Sequence, residues 1–123
     1  MYRIKYHFMK ILILILATVS FNNLAISAEA NDTNAIAEGK KIAFDRLKGN
    51  CLACHHIADG ESPGNIGPLL ENMKNRYPDK TKLHAKIWDA TVSNPETSMP
   101  PFGKHQILSE QEIDQVVEFI WSK

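Results

Sequence analysis

The sequence predicts an all-α domain with about four helices, and three observations support this fold class. Near the C-terminus, apolar side chains recur at the i, i+3, i+4, i+7 spacing of one helix face. These side chains belong to Ile113, Val116, Val117 and Ile120. Ser109 and Glu112 form a capping box directly before this face, and a capping box marks a helix start. We find no run of alternating apolar and polar residues of the kind that predicts a half-buried strand.

The N-terminus has the layout of a cleaved secretory signal, in which a basic stretch precedes a short apolar run and small side chains. The basic residues are Arg3, Lys5 and Lys10. The apolar run, residues 11–19, is too short to span a bilayer core of about 30 Å. We expect cleavage after Ala28, with Ala30 as the second choice, and an uncleaved N-terminal anchor is the alternative.

Removal of residues 1–28 leaves residues 29–123, which are enough for one small domain. This part has 11 basic and 14 acidic residues, so its formal charge is −3. It therefore has no basic stripe of the kind that binds nucleic acid. A secreted domain normally uses its cysteines in disulfides, but Cys51 and Cys54 lie too close in sequence for a useful cross-link.

The segment Cys51-Leu52-Ala53-Cys54-His55 has the Cys-x-x-Cys-His pattern of c-type haem attachment. The two thiols can form thioethers with the two vinyl groups of one porphyrin. The imidazole that follows is then placed as the proximal ligand of the iron. The motif predicts one covalently bound haem c, with Cys51 and Cys54 as its attachment points and His55 as an iron ligand.

A Cys-x-x-Cys pair has two other common uses, as a thioredoxin-like redox pair and as half of a zinc site. A thioredoxin-like redox pair belongs in an alternating strand and helix pattern, which this sequence lacks. A zinc site needs four ligands, and the chain has only two cysteines. Its histidines do not form the usual His-x(3–5)-His pair of a zinc site. Haem attachment is the use of the pair that the rest of the sequence supports.

Three further helices are predicted before the C-terminal one. The first covers roughly residues 34–48 with Asn34 as its cap. Pro68 opens a short second helix, and Asp79 starts a third over roughly residues 80–92. The inward side chains are expected to be Ile36, Gly39, Ala43, Phe44 and Leu47 on the first helix, Leu69, Leu70, Met73 and Tyr77 on the second, and Leu83, Ile87 and Ala90 on the third.

The haem iron needs a sixth ligand or an open position, and residues 29–123 contain two methionines. Met73 lies on the apolar stripe of the second predicted helix, where a flexible core side chain is its simplest role. Met99 lies in the proline-rich segment 94–103, which cannot be a regular helix. Prolines limit the entropy that this segment loses on folding. We therefore predict Met99 as the distal iron ligand.

Histidines are the competing sixth ligands. His56 adjoins the proximal ligand and does not easily reach the opposite face of a porphyrin. His84 falls on a helix and is expected at the surface. His105, just after the Met99 segment, is the main competitor, and His/His ligation would lower the potential relative to His/Met. The sequence leaves open whether His105 can replace Met99.

Pro68 is a candidate for the carbonyl that receives the second N–H of the proximal histidine. Such a bond fixes the tautomer of a ligating imidazole. The proline ring fixes φ, and Gly67 before it permits a close approach. The alternative is that Gly67-Pro68 is only a turn before a helix.

These features together resemble class I cytochrome c. The resemblance rests on a helix with Gly39 and Phe44, the haem motif, Gly67-Pro68, a methionine loop and a C-terminal helix. It implies a class I cytochrome c fold, with helices packed around the haem and the first and last helices crossing near Gly39. It also implies that Phe44 packs against residues such as Val117, Ile120 and Trp121.

A narrower resemblance is to the SoxX family, the monohaem subunits of SoxAX cytochromes of bacterial sulfur oxidation. The segments that carry it are Asp45–Asn50, Gly64–Pro68, Arg76–Asp79, Ile87–Ala90, Asn94-Pro95 and Met99–Gly103.

The SoxX resemblance implies a periplasmic complex with a SoxA-like cytochrome subunit. Such complexes oxidatively couple thiosulfate to a cysteine of the carrier protein SoxY, which is an L-cysteine S-thiosulfotransferase activity. The SoxX-like chain passes the electrons to a soluble acceptor and has no catalytic residue of its own. The alternatives are a free-standing small cytochrome carrier, a haem sensor with an open sixth site, and a thiol–disulfide oxidoreductase.

Overall fold

The computed structural model describes residues 31–123, and the predicted signal with its cleavage sites after Ala28 or Ala30 lies outside them. The compact unit is Asn34–Lys123. Four helices are described, with α1 at residues 31–44, α2 at Met73–Arg76, α3 at Lys80–Trp88 and α4 at Glu110–Trp121. Two 3₁₀ turns, Cys51–Ala53 and Ala90–Val92, complete the regular structure. Over the described range the only pairing of strand type is the isolated bridge between Ile57 and Leu70, which confirms the all-α prediction.

Helix α4 begins directly after the predicted cap, Ser109, and buries the predicted apolar face. The Ser109 side chain accepts a bond from the Glu112 N–H, and the Glu112 carboxylate accepts one from the Ser109 N–H, so the capping box is complete. All four predicted apolar side chains are at most 4% exposed, and Phe119 joins them at 1%. Burial of this face supplies most of the stability of the helix, because isolated 12-residue helices are marginal in water.

Helices α1 and α4 cross at Gly39. A β-carbon at this position would lie 1.9 Å from the Gln115 carbonyl oxygen and 2.9 Å from Cβ of Phe119. No other residue type fits so close an approach between two backbones. Beside the crossing, the Phe44 and Phe119 rings meet edge to face with centroids 5.5 Å apart. Phe119 is a partner of Phe44 that the sequence prediction did not name.

Helix α3 begins where Asp79 predicted, since that side chain accepts a bond from the Thr81 N–H at 2.9 Å. The helix is shorter than predicted because Asp89 adopts an extended conformation with φ −153°. Its carboxylate caps the 3₁₀ turn that follows by accepting from the Thr91 N–H. Leu83 and Ile87 are buried as predicted.

Four local predictions were wrong. Leu69, which was expected to face inward, is 41% exposed. Residue 31 is already helical, so Asn34 lies inside α1 and does not cap it. The helix ends at residue 44, which leaves Leu47 in a turn with 95% of its surface exposed. Pro68 lies in extended chain rather than at a helix start, and α2 begins only at Met73. Local sequence preferences are weak over such short segments, so they did not suffice to place these boundaries.

The core is one cluster of side chains contributed by all four helices and the segments between them. Its largest fully buried members are Phe119, Ile57, Met73, Ile113 and Val116. Trp121 closes one end, where its indole N–H donates to the Tyr77 carbonyl at 2.9 Å. Among residues 31–123, no helix combines the length and the hydropathy that crossing a membrane requires.

Candidate functional site

The Cys-x-x-Cys-His segment forms a tight turn against α1. Asn50 takes a left-handed conformation, with φ 46°, and the 3₁₀ turn Cys51–Ala53 follows it. Side chains three apart eclipse each other in a 3₁₀ turn, which places the thiols of Cys51 and Cys54 on one side. The Cys54 and His55 N–H groups both donate to the Cys51 carbonyl, at 3.2 and 2.9 Å. Both thiols are free of disulfides and half-buried.

A loop covers the back of this turn through backbone hydrogen bonds. The Gly64 N–H donates to the Leu52 carbonyl at 2.7 Å, and the Gly67 N–H donates to the Cys54 carbonyl at 2.8 Å. A β-carbon on Gly64 would lie 2.1 Å from the Ala53 carbonyl oxygen, so the loop could not pack this closely with any larger residue. The loop fixes the turn from behind and leaves its thiol side free.

The His55 ring is fixed by its neighbours on this loop. Its Nδ1 lies 2.7 Å from the Pro68 carbonyl oxygen. When Nδ1–H donates to that carbonyl, Nε2 has a free lone pair for a metal. A β-carbon on Gly67 would lie 2.5 Å from Cε1 and 2.6 Å from Nδ1 of the ring. Gly67 is therefore required for the ring to occupy this position, a role that the sequence alone did not reveal.

A cavity of about 810 Å³ opens beside the turn. Its lining includes the haem-motif residues Cys51, Cys54 and His55 together with Pro68 and Met99. The sequence-predicted site residues, which span 49 positions of the chain, are thus brought to one cavity. The volume falls in the range of about 300–1,000 Å³ that ligand pockets occupy.

The two methionines differ in their contacts within the cavity wall. Met73 is 1% exposed, and the Arg76 guanidinium donates to its sulfur at 3.4 Å and to the Leu69 carbonyl at 2.7 Å. Its sulfur therefore already has a polar partner in the wall. Met99 is half-buried, and its backbone N–H donates to Thr97 Oγ1 at 3.2 Å.

The other histidines of residues 31–123 are absent from the cavity lining. His84 stacks on the Trp88 ring, with centroids 5.9 Å apart, and its Nε2 lies 3.5 Å from an Asp114 oxygen. His56 and His105 are exposed. In this conformation, Met99 and not His105 shares the cavity with His55.

Charge and burial in the cavity wall suit a large apolar group with acidic arms. Four basic side chains and one acidic side chain line it: Arg46, Lys48, Arg76 and Lys86, and Glu96. Burial raises the pKa of the Cys51 thiol to about 11, so this thiol is neutral at ordinary pH. Leu47 and Ile66 are 95% and 74% exposed at the cavity, where a bound apolar group would cover them.

The residues present fit a haem c. The cavity brings together two thiols for covalent attachment, one oriented imidazole and one thioether, with apolar walls and basic side chains for the two carboxylates of the porphyrin. The sequence identified the thiols, the imidazole and the thioether. It predicted a close approach at Gly67 but not the contact with the His55 ring, and it did not identify Arg76, because contacts across the loop carry no local motif.

Comparison with known proteins agrees with this fit. The family model described as cytochrome c matches residues 36–123. A curated protein of Aquifex aeolicus (strain VF5), an uncharacterized lipoprotein, is 35% identical over 75 residues, which cover 59% of this chain and 36% of that protein. The chain thus spans little more than a third of that relative's length.

A solved structure is also similar. The crystal structure of SoxXA from P. pantotrophus contains a chain that matches with a TM-score of 0.63 and 29% sequence identity. The match covers 70% of this chain and 79% of that one.

Proposed function

We propose that this chain, which belongs to the cytochrome c family, is the electron-transfer subunit of a SoxAX-type complex. Membership of the family means one covalently bound haem c, and Cys51 and Cys54 fit its attachment motif. The haem supplies a one-electron redox couple when bound. The cavity that unites His55 and Met99 is the observation that carries the proposal.

His55 acts as the proximal ligand through Nε2. The Pro68 carbonyl, 2.7 Å from Nδ1, keeps the Nδ1 proton in place and makes the imidazole a better electron donor. Gly67 leaves room for the ring, and its backbone bond to the Cys54 carbonyl holds the loop beside the ring. A ligand fixed in this way needs little rearrangement when the iron changes its charge.

Met99 acts as the distal ligand. A thioether beside an imidazole raises the reduction potential relative to two imidazoles. With His55 and Met99 both available to hold the iron, the site would suit electron transfer rather than substrate binding. No catalytic residue for sulfur chemistry is assigned to this chain, since both cysteines are used for attachment.

The partner assignment rests on the likeness to the SoxXA structure at 29% identity. In the proposed complex, which is periplasmic, a SoxA-like subunit performs the coupling of thiosulfate to a cysteine of a SoxY-like carrier. This chain receives the electrons and passes them to a soluble acceptor. The predicted N-terminal signal supports export to that compartment.

The ligand assignment is tested with two methionine variants of the haem-loaded protein. Met99→Leu should lose the sulfur–iron absorption band at the red end of the ferric spectrum, because leucine has the same bulk without the sulfur. Met73→Leu is the matched control, since this residue lines the same cavity, and it should retain the band. A band that persists unchanged in Met99→Leu would show that Met99 is not the ligand.

The complex is tested by association. Gel filtration of the haem-loaded chain with a SoxA-like cytochrome should show a 1:1 complex, and the mixture should reduce a soluble acceptor in the presence of thiosulfate and a SoxY-like carrier. A chain that stays monomeric with such a partner is a free-standing carrier instead. Mass spectrometry distinguishes both cytochrome functions, complex subunit and free-standing carrier, from a thiol–disulfide enzyme. An added haem mass means that neither cysteine is a free thiol.

A further inference from the structure

The segment after Met99 is fastened to the C-terminal end of α3. The N–H groups of Gly103 and Lys104 both donate to the Trp88 carbonyl, at 3.1 and 3.3 Å. Gly103 packs flat on the Trp88 indole, where a β-carbon would lie 2.2 Å from Cδ2. The Lys104 ammonium lies 2.9 Å from Oδ2 of Asp89. Backbone and side-chain bonds therefore join Gly103 and Lys104 to Trp88 and Asp89, and we call this contact the junction.

Asp89 is the centre of this junction. Its side chain is only 8% exposed, whereas that of Lys104 is 57% exposed. One carboxylate oxygen accepts from the Thr91 N–H and hydroxyl, and the other pairs with Lys104. Bonds from Thr91 and from Lys104 lower the pKa of this carboxyl, so it is ionised at neutral pH. A nearly buried charge needs such partners to offset its lost hydration.

The ion pair closes a loop that contains Met99. Upstream of Met99, the described bonds are local: Asn94 N–H to the Ala90 carbonyl at 3.1 Å and Thr97 N–H to the Asn94 carbonyl at 3.1 Å. Downstream, Phe102 and Leu108 are buried and the turn between them has its own backbone bonds. The turn is therefore tied into the core, and the contacts of Gly103 and Lys104 with Trp88 and Asp89 attach it to the end of α3.

We propose that the Asp89–Lys104 ion pair is a positioning element that keeps the Met99 loop closed and so keeps the thioether on the iron. This inference rests on the proposed role of Met99 as distal ligand. Ligand-binding loops open locally with their own free energy. A partner molecule for the iron enters only from the open form, and its apparent affinity scales with the population of that form. Loss of the pair makes the open form more common.

The test is imidazole binding to the ferric haem-loaded chain, followed by loss of the sulfur–iron band. Asp89→Asn keeps an oxygen for Thr91 and removes the charge. Lys104→Gln removes the partner from the exposed side, and Lys104→Arg retains the pair. Lys80→Gln is the matched control, because Lys80 pairs with Glu118 at 2.6–2.8 Å and does not line the cavity.

Asp89→Asn and Lys104→Gln are each expected to raise the imidazole association constant about threefold to tenfold, which corresponds to the net worth of one partly exposed hydrogen-bonded pair. Lys104→Arg should have the imidazole affinity of the wild type. Lys80→Gln should also leave that affinity unchanged, whatever this substitution does to Tm. Equal imidazole affinity in Lys104→Gln and Lys80→Gln would overturn the inference, even if Asp89→Asn fails to fold. If Met99→Leu retains the sulfur–iron band, the ligand assignment itself fails, and the inference falls with it. If the imidazole affinity of Lys104→Gln is unchanged while Met99→Leu loses the sulfur–iron band, the ion-pair inference is refuted and the ligand assignment stands.

Discussion

Replacement of Gly67 by alanine perturbs the proximal side of the site. The new Cβ would lie 2.5 Å from Cε1 and 2.6 Å from Nδ1 of His55, so the ring must move by about 0.9 Å to reach ordinary contact. The 2.7 Å approach of Nδ1 to the Pro68 carbonyl then lengthens beyond hydrogen-bond range. No described glycine has a positive φ, so backbone strain does not contribute to the effect.

The expected result is a higher reduction potential. The carbonyl bond makes the imidazole more basic, which stabilises the ferric state more than the ferrous state. A net bond worth about 1 kcal/mol, lost mainly from the ferric state, raises the potential by about 40 mV. Spectroelectrochemical titration of the haem-loaded variant measures this shift.

Gly60→Ala is the matched control for this experiment. Its β-carbon would lie 2.3 Å from Cδ2 of Leu52, the far end of a flexible side chain that can turn away. This variant has the same added methyl group in the same loop without contact to His55, and its potential should equal that of the wild type. Equal potentials in Gly67→Ala and Gly60→Ala would refute the argument that Gly67 positions the proximal ring.

Two further predictions concern the scaffold. Gly39→Ala should lower the free energy of unfolding by about 1–3 kcal/mol, because the added methyl group overlaps the Gln115 carbonyl at the helix crossing. Ala37→Ser, which also adds one atom on the exposed face of α1, should change it by only about 0.5 kcal/mol in denaturant titrations, and equal losses would contradict the crossing. The pKa of Glu112 is lowered from its ordinary value of 4.5, chiefly by the bond from Lys48, so its contribution to stability is present above that value and is lost as pH falls through the folded pKa. Glu112→Gln should therefore flatten the acid side of the stability curve, and an unchanged slope would exclude this carboxylate as its cause.

Local chemistry made much of the fold predictable. The Ser109–Glu112 capping box and the Asp79 cap satisfy helix N–H groups within three residues, so sequence alone was enough to locate these helix starts. The apolar period of α4 likewise predicted its buried face. The end of α1 and the absence of a helix at Pro68 were missed. Both depend on how the haem-motif turn and its covering loop pack, which is information spread over distant segments.

Some of the site residues were likewise predictable from local sequence, and others were not. The Cys51–His55 pattern predicts attachment because the spacing of two thiols and an imidazole is itself the requirement of the chemistry. The choice between Met73 and Met99 could only be argued from proline content in the sequence. In the structure both methionines line the cavity with His55, and they differ because Arg76 donates to the Met73 sulfur.

The sequence by itself determined the cofactor, its attachment residues, the helical class and the family. These depend on residue type and short spacing, which a linear chain records directly. Only the tertiary structure showed that the close approach at Gly67 makes room for the His55 ring and that Asp89 pairs with Lys104. Each of these contacts joins residues 12 or 15 positions apart with no periodic signal, because steric fit and ion pairing depend on distance in space rather than along the chain.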